Sequence, residues 1–181
     1  KADRRVAFVV GNGAYKNVQP LPNPSIDAKS IAGVLRNVGF EVVEGTNLTR
    51  DKMTERLLEF GKKAQGADVA VFFYAGHGTQ YRGQNYLIPV DADILTEEDI
   101  EAHGVSARGV VSRMGRANNR LNLVILDACR TLPIKRQDRD AGSGLAPMKA
   151  SGTLIAYATA PNFVAKDGNG SNSPYTKSLV D

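Results

Sequence analysis

Residues 68–78 read DVAVFFYAGHG. From Val69 to Ala75 every side chain is aliphatic or aromatic, with no polar alternation, and the run stops at Gly76. A run this short and this uniformly apolar predicts a strand buried on both faces, the kind found in parallel sheets covered by helices on each side. The segments on either side agree. RRVAFVVGN (4–12) and FEVVEG (40–45) read as further strands. Between them, after the loop QPLPNPS (19–25), Ser25–Val38 places Ile26, Ile31, Val34, Leu35 and Val38 near a helical period, with Ser25 as cap and Gly39 as stop. Asp51–Gln65 carries Met53, Leu57, Leu58 and Phe60 as a second helix.

Downstream, GTQYRGQNYLIPVDAD (78–93) sets Gly83 and Gln84 between two short strand-like pieces, which predicts a small hairpin outside the main sheet. A helix over 106–117 precedes a fourth buried strand, LNLVILDAC (121–129). A fifth, GTLIAYATA (152–160), follows a Gly-bearing charged loop, and SPYTKSLVD begins a helix capped by Ser173 with Pro174 at its first position. Strands alternating with helices at these lengths predict an α/β fold with an open, mostly parallel sheet and helices on both faces. With 181 residues and 42% hydrophobic content, the expectation is one domain over 1–181.

No apolar run approaches the roughly 20 residues that span a bilayer. The chain starts at Lys1 without an apolar leader, which reads as a trimmed piece or the mature part of a longer protein. The expectation is a soluble domain, cytoplasmic, or periplasmic or secreted if a signal peptide has been removed. One cysteine forms no internal disulfide and does not choose a redox compartment. The net charge of +4 hides an asymmetry: DADILTEEDIE (91–101) has six acids and no base, whereas Arg108–Arg139 has eight bases against two acids. No aromatic-interleaved module accompanies the bases, so no nucleic-acid partner is expected.

In sheets of this kind ligands sit beyond the carboxyl ends of the strands. VVGNGAY (9–15) lacks the glycine pattern and lysine of a phosphate loop and reads as a turn. His77 lies between two glycines at a strand end, and Cys129 follows another strand. Taken alone, Cys129 reads as a small buried hydrophobe. If the two strands are neighbours, about 4.8 Å apart, thiol and imidazole come within reach and Cys129 reads as a nucleophile with His77 as acid and base. The backbone N–H groups of Gly78 and Cys129 would then hold the developing oxyanion. His103 reads as a loop or surface residue.

FFYAGHG followed 52 positions later by LDACR resembles the histidine and cysteine boxes of the caspase and metacaspase peptidases, nearest to bacterial metacaspase-like domains. LPNPSIDAKSIAGVLRNVGFEV (21–42) resembles their first loop and helix. The resemblance implies a caspase-like three-layer sandwich. Within it a large-subunit-like region would cover about residues 1–130, a linker about 131–150 and the start of a small-subunit-like region 151–181. It implies a cysteine endopeptidase that needs no cofactor for bond cleavage. Asp127 stands where caspases have Gln, and Thr131 where they have Gly. In metacaspase-like members such an aspartate, with one at the start of the first helix, lines the substrate pocket; the matching positions are Asp127 and Asp27. Two carboxylates there favour Arg or Lys in the substrate, so the expected partners are proteins or peptides with basic residues. Asp27 is equally readable as a first-turn acid favoured by the helix dipole.

A basic preference makes Arg130, Lys135, Arg136 and Arg139 candidate self-cleavage sites. The resemblance also suggests calcium as an activator, with Asp91, Glu98 and Asp99 as candidate ligands, although no EF-hand spacing appears. The rival expectation is a catalytically silent member of the same fold acting as an interaction module. The sequence leaves the oligomeric state open.

Overall fold

The computed structural model describes residues 3–128, 132, 134 and 144–158. Among these residues five strands form the main sheet: β1 (Arg5–Gly11), β2 (Glu41–Thr46), β3 (Val69–Ala75), β7 (Leu121–Asp127) and β8 (Thr153–Tyr157). Their order is β2-β1-β3-β7-β8, and every pairing between them is parallel. The chain steps outward from β1 to β2 and then returns to the other side of β1 as β3. The switch point therefore lies between the carboxyl ends of β1 and β3, where an open α/β sheet forms its ligand crevice.

Side chains along each strand alternate between two apolar layers, as the two-residue period of a strand requires. Val6, Phe8, Val10, Phe72, Tyr74, Val124 and Leu126 face one layer. There they pack on Met53, Leu57 and Phe60 of α2 (Arg50–Lys63) and on Val110, Val111 and Met114 of α4 (Ala107–Arg116). Ala7, Val9, Val71 and Phe73 face the opposite layer, against Ala28, Ile31 and Ala32 of α1 (Pro24–Asn37). The central strands are thus apolar on both sides because both sides are covered.

The helix boundaries follow local chemistry. α2 is capped by Thr49, whose hydroxyl accepts the Lys52 N–H at 3.3 Å, and α4 by Ser106, which accepts the Gly109 N–H at 3.1 Å. α1 differs from expectation. It starts at Pro24 with Asn23 in the capping position, so Ser25 lies inside the first turn. Proline suits that place because its ring fixes a helical φ and its missing N–H would have had no partner there. Gly39 ends the helix as expected, with φ 90°.

The excursion after β3 is larger than a hairpin. β4 (Gly78–Tyr81) and β5 (Gln84–Leu87) pair antiparallel through a turn at Arg82 and Gly83, with φ 51° and 74°. Those two positive angles match the twist of a two-residue hairpin. A third strand, β6 (Val105–Ser106), joins β5, and α3 (Glu97–His103) fills the acidic stretch before it. His103, expected in a loop or on the surface, is the last residue of α3. The expected helix from Ser173 lies outside the described residues. Among the described residues no helix is long and apolar enough to cross a membrane.

Phe8 is fully buried, with ring centroids 5.8 Å from Phe60 and 5.6 Å from Phe72. Phe8→Ala is expected to lower stability in urea unfolding by about 3–5 kcal/mol. Val38→Ala, at a position 51% exposed, should change it by less than about 0.5 kcal/mol.

Candidate active site

The parallel ladders bring three strand ends level. Gly11 pairs with Ala75, and Ala75 pairs with Asp127. The chain leaving β1 stays beside β3, because the Asn12 N–H donates to the Ala75 carbonyl at 2.8 Å. Two residues past Ala75 stands His77, buried to 3% exposure.

Two tyrosine hydroxyls hold the main chain of His77. Its N–H donates to the Tyr15 hydroxyl at 2.8 Å, and its carbonyl accepts from the Tyr74 hydroxyl at 2.6 Å and from the Ile88 N–H at 3.0 Å. Tyr15 in turn donates to the Ile88 carbonyl at 2.9 Å, which ties the β3 end to the segment after β5. Burial pushes both phenols well above their ordinary pKa, so they stay protonated and available as donors. Gly76 is needed here. A Cβ on it would lie 2.6 Å from the Tyr74 hydroxyl and 2.9 Å from that of Tyr15.

The ring of His77 is positioned by the loop after β1. Its centroid lies 4.5 Å from that of Tyr15 at 59°, and its Nε2 is 2.7 Å from the Gln19 carbonyl. A carbonyl oxygen only accepts, so this contact puts a proton on Nε2 and makes Nδ1 the acceptor nitrogen of the neutral ring. The start of the loop is itself anchored by two asparagines. Asn47, at φ 54°, accepts the N–H groups of Gly13 and Ala14 at 2.9 Å each, and buried Asn12 accepts the Leu48 N–H at 2.8 Å.

Gly78 opens β4 against the strand that precedes the cysteine; a Cβ there would sit 2.9 Å from that of Ala128. Ala128 is buried, and Cys129 itself lies outside the described residues. Asp27 sits in the first turn of α1 at 1% exposure. Asp127 is half-buried at the end of β7 and shares the strand face of Leu123 and Ile125, the face that packs toward α1. The two aspartates thus belong to one face and one end of the sheet. Arg130, Lys135, Arg136 and Arg139 lie outside the described residues.

Two of the three calcium candidates accept backbone N–H groups. Asp91 accepts the Arg50 N–H at 3.0 Å. Asp99 accepts those of Leu95 and Thr96 at 3.0 Å each, and these bonds hold its carboxyl below the usual carboxylate range. Glu98 is exposed on α3. Among the described residues no group of three or more His, Cys, Asp or Glu side chains is placed to hold a metal ion.

The residues around His77 that sequence reasoning passed over are Asn12, Tyr15, Gln19, Asn47 and Tyr74. The one signal available was a hydroxyl-bearing ring, Tyr74, closing an otherwise hydrocarbon strand.

Comparison with known proteins gives a consistent picture. The family model described as Caspase domain matches residues 4–181. The human mucosa-associated lymphoid tissue lymphoma translocation protein 1 is 29% identical over 139 residues, 77% of this chain, and its mouse homolog matches to the same extent. The chain spans 16% of the length of each of these two relatives.

Tyr15→Phe removes the acceptor of a buried N–H and the donor to a buried carbonyl. It is expected to cost about 2–4 kcal/mol in chemical unfolding, with the backbone amide signal of His77 displaced in NMR spectra. A loss below about 0.5 kcal/mol with an unmoved His77 amide would contradict this account of the tyrosine pair.

Proposed function

We propose that this chain, which belongs to the caspase domain family, is a cysteine endopeptidase that cuts after Arg or Lys, with Cys129 as nucleophile and His77 as acid and base. One observation carries the reading. β3 and β7 are adjacent and in register at Ala75 and Asp127, and His77 and Cys129 each follow that pair by two residues.

Nδ1 of His77 takes the thiol proton of Cys129. The thiolate attacks the scissile carbonyl carbon, and the backbone N–H groups of Gly78 and Cys129 receive the charge that develops on its oxygen. The tetrahedral species collapses as the C–N bond breaks, and the imidazolium gives its proton to the departing amine. Water then attacks the thioester, with His77 taking its proton and returning one to sulfur as the acid product leaves. The Nε2 contact with Gln19 keeps the ring in the tautomer these transfers need.

Asp27 and Asp127 supply the negative pocket for the side chain preceding the cut, supported by their common face and end of the sheet. Cleavage itself needs no cofactor. Calcium enters this reading only as an activator, and no step passes through Asp91, Glu98 or Asp99. The loop after Cys129, with Arg130, Lys135, Arg136 and Arg139, is the expected place of self-cleavage. Residues 1–181 act as one catalytic unit, with a large-subunit-like part to about residue 130 and a small-subunit-like part from 151.

Fluorogenic peptides ending in Arg, Lys or Asp, assayed with and without calcium, test the proposal. The Arg and Lys peptides should exceed the Asp peptide in kcat/KM by about 100-fold or more. Cys129→Ala should abolish turnover, a loss of about 10⁴-fold or more, together with any cut after Arg130, Lys135, Arg136 or Arg139. Turnover that survives Cys129→Ala, or an absence of turnover of every peptide, would overturn the peptidase reading; a preference for Asp would overturn the pocket alone.

A further inference from the structure

We propose that the groove between α2 and α4 receives the acidic outer face of α3 from a second copy of this chain, joining copies head to tail. Such a contact would form whether or not the chain is a peptidase.

The groove is cationic, and among the described residues no acid lines it. Its main recess, about 270 Å³, is lined by Leu58, Gly61, Lys62, Gln65, Arg113 and Arg116. It continues past Arg113 into a second recess of about 200 Å³ that reaches Arg50. The nearby acids of α2 are already engaged, Glu55 by Lys52 and Glu59 by Arg56 and Lys63. Among the described residues Lys62, Arg113 and Arg116 make no ion pair. The groove also has an apolar floor, since Leu58 is 45% exposed. Gly61 adds to its depth: a Cβ there would meet nothing within 4 Å. A helix-interior glycine weakens its helix, and among the described residues no packing calls for one at Gly61; an incoming backbone would use the space.

The same chain carries the complement. Leu95 is 75% exposed, the most exposed of its large hydrophobic side chains among the described residues. It sits beside Asp93 and just before α3, whose inner face buries Ile100 and Glu97 and whose outer face exposes Glu98 and Glu101. Glu98 and Glu101 are three residues apart on one helix, as are Arg113 and Arg116 on another, so the two pairs share one spacing. Leu95 against Leu58, with the carboxylates against the guanidinium groups, gives an apolar anchor with a matched charged rim, the pattern of helix-in-groove recognition.

Within one copy the outer face of α3 is held away from the main recess. The Asp91 carboxylate binds the Arg50 N–H, which fixes the acidic segment at the start of α2. Lys62 lies twelve residues further along that helix, about 18 Å away. Main recess and α3 face are therefore different patches, and a contact between different patches leaves a free recess at one end and a free α3 at the other. The contact is small and charged, so association is weak and falls with salt.

Sedimentation of the full chain under reducing conditions, which keep Cys129 from cross-linking, tests this. At about 50 mM NaCl the mean mass should rise above the monomer with concentration, and at about 500 mM it should return to the monomer. Arg113→Glu/Arg116→Glu and Glu98→Lys/Glu101→Lys should each weaken association by about tenfold or more, and a 1:1 mixture of the two should regain it. All four side chains lie at the surface or half-buried, so circular dichroism should show both variants folded. Wild type that stays monomeric at low salt would overturn the proposal, as would association that survives both charge reversals. Binding of a polyglutamate peptide in the groove of a wild type that stays monomeric would show that the occupant is a different acidic chain.

Discussion

The parallel ladders that hold β3 between β1 and β7 set Gly11, Ala75 and Asp127 side by side, and the rest of the site is reached from that line. Because each pairing is in register, the residues just past the strand ends are neighbours in space although far apart in the chain. The loop after β1 brings Tyr15 and Gln19 to His77, and the turn after β3 places His77 beside the segment that follows β5. A slip of one residue in β3 would exchange its two apolar faces and set Phe72 and Tyr74 in the layer that fits Val71 and Phe73, so the close packing of the core also enforces the alignment of the site.

The tyrosine pair explains how a glycine-flanked histidine keeps one orientation. Gly76 and Gly78 lack side chains because neighbours occupy the space, the two hydroxyls in one case and Ala128 in the other. Flexibility there is prevented by bonds to the His77 N–H and carbonyl, both made by groups that burial keeps protonated. The ring is held by the Gln19 carbonyl and packs on Tyr15, both in the loop after β1. Main chain and imidazole are thus both restrained, which suits a group proposed to move protons between fixed atoms.

Much of this was legible in the sequence, for reasons particular residues show. The unbroken apolar run Val69–Ala75 reads correctly as a strand covered on both faces, and the parallel sheet follows from it. Thr49 and Ser106 are ordinary cap signals. α3 escaped because its acids mask a weak apolar pattern in which only Ile100 is buried among its hydrophobic residues, yet Thr96 and Asp99 form a capping box that announces a helix start. Asn23 holds the capping place expected of Ser25 because Pro24, part of a stretch that reads as loop, serves as the first helical residue. Tyr15 and Tyr74 could not be found by periodicity, since a phenol in an apolar run counts as hydrophobic and its hydroxyl acts only once distant segments meet. Strand order too is a long-range property. Asp27 and Asp127 were named from the resemblance, and the sheet gives them a common face.

The central claim is that His77 acts on the thiol of Cys129. The chain has one cysteine, so alkylation by iodoacetamide reports on that thiol alone. The rate should follow a titration with a pKa below the ordinary value of about 8.5 in the wild type and move up toward it in His77→Ala. Identical pH profiles in the two proteins would contradict the account.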